Sequence, residues 1–300
     1  MRRNPWRARI ALLILCALPL AGYAVSAQVG RARPASLARL APIERNETME
    51  VIYFDCGKAD SMLIRQGGHA MLIDAATRKE GPGIAARLRE EGIQKLDALL
   101  ITHEDKDHIG GAGHVLRALE VERAYTGRIT EDSRHLKQFL EALDENGVPA
   151  TTLVAGDHFA LGSALVTVIG PVGDGPRKEN DASLVLRVDF GQTAFVFAAD
   201  AERLSLAEML DAPGGRQKLC AQVLKVPHHG RANARSAALF EAVRPEIAVI
   251  TTDWGNESGL PDAAVVAALE RVGARVYVTG DGEVRVVSDG FALTTETVPR

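Results

Sequence analysis

Four side chains able to hold a metal ion, His103, Asp105, Asp107 and His108, crowd into six residues. They follow the apolar run Ala98–Ile101 and lead into Ile109-Gly110-Gly111, which opens a helix. Loops at strand ends are where rigid scaffolds present functional groups. Imidazole and carboxylate suit Zn²⁺, Mn²⁺ or Fe, and the lack of thiolate argues against a soft-metal site. In an extended segment, residues 103, 105 and 107 point to one side. A turn at His108 then offers a nitrogen at a second position, so one short segment can serve two adjacent ions. A solvated polar loop would use the same residue types. The placement between a buried strand and a Gly-Gly helix start favours ligands.

Two later segments have the same form. Phe195–Asp200 is an apolar strand ending in a carboxylate. Alone, Asp200 reads more simply as a cap for a helix over Ala201–Leu210. Leu224–Gly230 is an apolar strand ending in His228-His229-Gly230. His69, His114, His135 and His158 lie outside these segments and read as ordinary surface or packing residues. Trp254 and Asn256 follow a strand over Ile247–Thr251 and should overlook the site.

The elements that must position these groups follow from short apolar runs split by Gly-containing turns. Strands are expected at Met49–Phe54, Ser61–Arg65, Ala70–Ile73, Ala98–Ile101, Leu165–Ile169, Leu184–Phe190, Thr193–Ala198, Ala221–Val226, Ile247–Thr251, Val276–Val278 and Val284–Val287. Gly191-Gln192 should close a hairpin. Helices are expected at Gly83–Glu91, Gly113–Leu119, Ser133–Asn146, Leu204–Leu210, Ser236–Val243 and Asp262–Val272. Two halves of similar make-up alternate helices with hairpins. That suits an α/β architecture of two packed sheets with helices outside. No domain break is expected after residue 48.

The first residues are of another kind. Arg2, Arg3, Arg7 and Arg9 precede an apolar run from Ile10 to about Val25, and Val25-Ser26-Ala27 supplies small residues at a cleavage position. Residues 1–27 read as a secretory signal peptide, with an uncleaved anchor as the alternative. Residues 28–48, rich in Arg, Ala and Pro, read as a linker, and 49–300 as the working domain. A secreted or periplasmic protein is expected. Loss of residues 1–27, with four arginines and no acid, would take the formal charge from −4 to about −8. An acidic protein is poorly suited to sequence-blind binding of long polyanions. Cys56 and Cys220 could pair in an oxidising compartment, but their spacing is not that of a zinc-thiolate site.

Taken in order, these segments resemble the metallo-β-lactamase superfamily, and within it the branch of the soluble nuclease-like domain of the competence protein ComEC. Asp55–Asp60 matches that branch's Asp-Val-Gly-Gln-Gly-Asp. Thr102–Gly111 matches Ser-His-x-Asp-x-Asp-His-x-Gly-Gly, and Asn180–Leu186 matches Asn-x-x-Ser-Leu-Val-Leu. Ala199-Asp200 stands for Gly-Asp, and Lys225–Gly230 repeats Lys-Val-Pro-His-His-Gly. The resemblance implies a four-layer αββα fold, with two mixed sheets sandwiched by helices, and two divalent ions, Zn²⁺ or Mn²⁺. It implies that His103 and Asp105 hold the first ion, that Asp107, His108 and His228 hold the second, and that Asp200 bridges both. Asn180 or Asp181, with Asp181 preferred, would complete the first site. Asp107 would also orient a hydroxide generated between the ions, and His229 would support the site or contact substrate.

The likeness is closer in the metal ligands than around them. Lys58-Ala59 replace the branch's Gln-Gly, Arg231 replaces Ser, and Leu260 stands where the branch commonly has His. The expected function is a secreted two-metal hydrolase of phosphoester bonds, acting as a nuclease or phosphodiesterase on a small or short phosphodiester rather than long nucleic acid. The alternatives are a hydrolase of lactone, amide or other ester bonds, and a metal-binding accessory module with weak catalysis.

Overall fold

A computed structural model describes residues 30–31, 47–175 and 177–299. The expected signal segment and most of the expected linker lie outside them. Gly30-Arg31, within that linker, pairs in parallel with Thr151-Thr152.

The first sheet has nine strands in the order Gly30–Arg31, Ala150–Thr152, Ala124–Thr126, Ala98–Ile101, His69–Ile73, Met62–Gln66, Met49–Tyr53, Glu283–Ser288 and Leu293–Val298. The second has seven, in the order His158–Leu161, Ala164–Gly170, Val185–Phe190, Thr193–Phe197, Val223–Lys225, Ile247–Ile250 and Arg275–Val278. Both sheets mix parallel and antiparallel pairs.

Strand periodicity explains the layering. Met49, Val51 and Tyr53 point into the core between the sheets, whereas Ile52 and Phe54 point to the helix side. Phe195 and Phe197 enter the same central core, and Ala194 and Val196 face the helices of the second sheet. Tyr53 and Phe197 stack across the sheets with ring centroids 6.1 Å apart. Both faces of these strands are covered, which is why they read as continuous apolar runs. Helices Gly81–Glu90, Ala112–Ala118 and Arg134–Glu145 cover the first sheet, and Arg203–Asp211, Ser236–Val243 and Ala263–Arg271 cover the second. The four-layer αββα arrangement is therefore present.

The carboxyl ends of five strands meet at one edge of the sandwich. His69–Ile73 and Ala98–Ile101 run parallel and end at Asp74 and Thr102-His103. Thr193–Phe197, Val223–Lys225 and Ile247–Ile250 also run parallel and lead to Asp200, His228-His229 and Thr251. Open α/β sheets present their ligands at such strand ends.

Local departures from expectation have physical causes. Asp107 does not continue an extended run, because Lys106–Ile109 is a helical turn that begins after Asp105. The tight packing behind it explains Gly110-Gly111. A Cβ on Gly110 would lie 2.3 Å from the Lys106 carbonyl, and one on Gly111 would lie 2.1 Å from that of Ala75. Asp200 caps no helix, since the cap position of Arg203–Asp211 is Glu202. Cys56 and Cys220 form no disulfide. Among the described residues, no helix is long and apolar enough to cross a membrane.

Candidate metal centre

Three buried histidines face one another, and each has one ring nitrogen already engaged. His103 Nδ1 lies 3.0 Å from Thr102 Oγ1, and that hydroxyl donates to Asp74 Oδ2 at 2.8 Å. The hydroxyl proton being committed to Asp74, Thr102 Oγ1 accepts from His103 Nδ1. His108 Nδ1 donates to Asp74 Oδ2 at 2.8 Å. His229 Nδ1 donates to the Thr251 carbonyl at 2.9 Å. A carbonyl only accepts, so the His229 tautomer follows from the geometry. In all three rings Nε2 is left buried with no hydrogen-bond partner, and Asp200 Oδ1 is left likewise. Buried polar atoms normally find partners. Four such atoms at one strand edge are what a cation-binding donor set requires.

The carboxylates complete the arrangement. Asp200 Oδ1 is 3.4 Å from His108 Nε2, and its Oδ2 is 3.5 Å from His229 Nε2. Asp107 Oδ2 is 3.6 Å from His229 Nε2, and Asp105 Oδ2 is 3.5 Å from His103 Nε2. Ligand atoms of His103, His108 and Asp200 lie within 4.8 Å of one another, as do those of Asp107, His108 and His229. The two groups share His108. These residues fit divalent ions in composition and in their unspent donors.

Two of the expected ligands lie apart from these groups. His229, rather than His228, joins Asp107 and His108. Both residues sit in the left-handed region, with φ of 50° and 52°. The resulting turn buries the His229 ring and leaves His228 half-buried at the rim. There His228 Nδ1 is 3.1 Å from Glu202 and its Nε2 is 3.8 Å from Asp200. Asp181 belongs to neither group. Its Oδ1 accepts the Ser205 amide at 2.8 Å, in the first turn of the following helix. Asn180 donates to Glu202. From that loop it is Glu179 that reaches the cleft, where it hydrogen-bonds Asp105.

Several residues act behind the ligands. Asp74 receives the Thr102 amide and hydroxyl and the His108 ring. Such a carboxylate fixes ring orientation and raises ligand basicity. Asp60 is held by Thr251 Oγ1 and by an ion pair with the buried Lys225. Lys225 Nζ also donates to the Ala199 carbonyl at 3.1 Å, steadying the turn that aims Asp200. Ala199 itself has a φ of 45°. Glu104 is not turned to an ion, because its Oε1 accepts the Thr130 and Glu131 amides and anchors that loop. His135 lines the cleft and Trp254 is exposed, its indole donating to Asp281 at 2.9 Å. Asp74→Asn is expected to weaken divalent-ion affinity about 10- to 100-fold. Metal titration by calorimetry measures this, and unchanged affinity would remove Asp74 from the site.

The charges are balanced against burial. Burial would lower the basicity of His108, but Asp200, Asp74 and Asp60 outweigh it and hold the ring charged well above its usual range. Burial would raise Asp107 and Asp200. For Asp107 the neighbouring His229 ring, the His108 charge and the Lys58 ammonium prevail, and for Asp200 the neighbouring His229 and His108 rings do, so both stay far below the usual carboxylate range. Burial and the hydrogen bond to Asp105 push Glu179 up to about 8. An ion at His108 Nε2 must displace a proton, and an ion at Asp105 frees the one shared with Glu179. Divalent-ion affinity is therefore expected to rise with pH through neutrality, with protons released. Calorimetry in buffers of different ionisation enthalpy measures the release. Proton-neutral binding would contradict the assignment.

The sequence profile of the Metallo-beta-lactamase superfamily matches residues 54–252. The chain belongs to the metallo-β-lactamase superfamily. That superfamily is built on a metal-dependent hydrolase fold, and the matched segment carries every candidate ligand above. Its relatives include a competence protein and similar chains. ComE operon protein 3 of Bacillus subtilis is 27% identical over 248 residues, covering 77% of this chain and 32% of the relative. Recombination protein 2 of Haemophilus influenzae is 28% identical over 245 residues, covering 80% and 29%. Competence protein ComA of Neisseria gonorrhoeae is 26% identical over 240 residues, covering 79% and 32%. The chain thus spans about a third of these relatives. Among solved structures, the metallo-β-lactamase fold protein YhfI of Bacillus subtilis superposes with a TM-score of 0.54 at 14% identity, covering 78% of this chain and 96% of that one. CmlA of Streptomyces venezuelae, a diiron β-hydroxylase, gives 0.51 at 14% identity, covering 86% and 55%. Likeness to a hydroxylase as well as to a metallo-β-lactamase fold protein means that the fold alone does not choose the reaction.

Proposed function

We propose that this chain hydrolyses phosphoester bonds with two divalent ions held in its cleft. The observation that carries this reading is the set of three histidines whose Nδ1 atoms are spent and whose buried Nε2 atoms have no hydrogen-bond partner. His103 and Asp105 would hold one ion, Asp107, His108 and His229 the other, and Asp200 would stand between them. When bound, such ions polarise the phosphoryl group and activate water. The share of carboxylate among the ligands suits Mn²⁺ as well as Zn²⁺.

The chain's own residues hold and orient. Asp107 faces the cleft and is the carboxylate suited to orienting the attacking water. His228, at the rim against Glu202, is suited to meeting substrate. The cleft measures about 380 Å³, and Glu104, Glu131 and Glu179 line it together with Lys58 and Lys106. The net negative charge of the chain favours a small or short phosphodiester over a long polyanion. The pattern of residues 1–27 supports action outside the cytoplasm.

The test is direct. Purified protein is analysed for metal and assayed on bis(p-nitrophenyl) phosphate with added Mn²⁺ or Zn²⁺. Two ions per chain and turnover that chelator abolishes are expected. Bound metal with turnover only on carboxyl esters or lactones would replace phosphoesters as substrate. Bound metal without any turnover would favour an accessory module, the reading that fits Leu260, a buried residue where the branch commonly has His. Absence of metal binding would sink the whole proposal.

A further inference from the structure

Lys58 brings a cation to a candidate ligand from the open side of the cleft. Its Nζ lies 2.6 Å from Asp107 Oδ2. The same oxygen faces His229 Nε2 at 3.6 Å. Lys58 therefore occupies a position on Asp107 that an ion joined to Asp107 and His229 would need. The contact is built into the backbone. The Asp60 amide donates to the Asp107 carbonyl at 3.0 Å and ties the Lys58 loop to the ligand turn. On the other side of that loop, Gly57 packs beside Asp253. The ammonium is still free to move, because the Lys58 side chain is 27% exposed and rides on a flexible stem.

An ammonium and a divalent ion at one carboxylate oxygen repel each other. An anion placed between them removes that repulsion. Of the two lysines that line the cleft, Lys58 and Lys106, Lys58 is the one paired with a candidate ligand, and Glu104 and Glu131 on the same lining do not attract an anion. We propose that Lys58 couples the second divalent ion to the anionic substrate: the ion displaces its ammonium from Asp107, and the substrate anion then bridges ammonium and ion. This rests on the two-metal reading above. It concerns a residue in which the chain departs from its branch, which has a neutral Gln there. A neutral side chain would neither oppose the ion nor reward the anion.

By linkage, the anion should tighten the ion as much as the ion tightens the anion. The experiment titrates Mn²⁺ into wild type, Lys58→Gln and Lys58→Arg, each with and without saturating inorganic phosphate. Free Mn²⁺ is read by electron paramagnetic resonance. In wild type, phosphate should tighten the second ion roughly tenfold or more. In Lys58→Gln, the second ion should bind roughly tenfold tighter without phosphate, and the effect of phosphate should shrink by a similar factor. Lys58→Arg should behave as wild type. The proposal is overturned if folded Lys58→Gln matches wild type in second-ion affinity and phosphate effect, or binds the second ion more weakly. Failure of every protein to bind a second ion would overturn the two-metal reading, and this coupling with it.

Discussion

Replacing His108 by alanine is expected to remove both bound metal and turnover. His108 is the ring shared by the two groups of candidate ligands. It is fully buried, so water cannot reach in to substitute for it without rearrangement. Loss of one well-aimed electrostatic group in an active site already costs on the order of 10²- to 10³-fold in rate. Loss of a ligand common to two ions should cost at least the upper figure. The measurements are kcat/KM on a generic phosphodiester and metal content of the folded protein. A variant that keeps two ions and works within about tenfold of wild type would remove His108 from the centre.

The second large effect is on stability. Lys225 is completely buried and forms an ion pair with Asp60, which is also completely buried. Lys225→Met keeps much of the stem's packing but strands the Asp60 charge. Breaking one partner of a buried pair costs about 3–5 kcal/mol. For a domain of this size that lowers Tm by roughly 6–20 °C. Melting should be followed in chelator, so that ion binding does not mask the loss. Adding Asp60→Asn should restore part of it, because no lone charge then remains. An unchanged Tm in the single variant would mean that Asp60 holds a proton and that the pair is not ionic.

The sequence made the ligand strings legible because each lies at the end of an apolar strand, and because four ligands in six residues have few other uses. The two sheets were legible from alternation. What was not legible depends on neighbours far along the chain. Asp74 looks like a turn residue until His69–Ile73 is placed beside Ala98–Ile101, where it meets Thr102 and His108. Asp60 takes its role from Lys225, on a strand of the other sheet, and Thr251, just past the end of one. The burial of His229 and the placing of His228 at the rim follow from two consecutive left-handed residues, which no side-chain pattern announces. Lys106–Ile109 is too short to leave a helical period. Leu293–Val298, rich in Thr and mostly exposed, lacks the apolar run that marks an inner strand.

The last hairpin has a consequence for how the chain is made. Glu283–Ser288 pairs with Met49–Tyr53, so the outer hydrogen bonds of one of the domain's first strands come from residues more than 200 positions later. Arg285 adds long-range ion pairs to Glu91 and Glu50. During synthesis from the N-terminus, the outer edge of Met49–Tyr53 must wait unpaired until Glu283–Ser288 has emerged. Such edges invite pairing between molecules. Chains ended before residue 283 should therefore collect in aggregates even though every candidate metal ligand has been made. The binding groups are complete by His229, but the sheet that presents them is closed only by Glu283–Ser288.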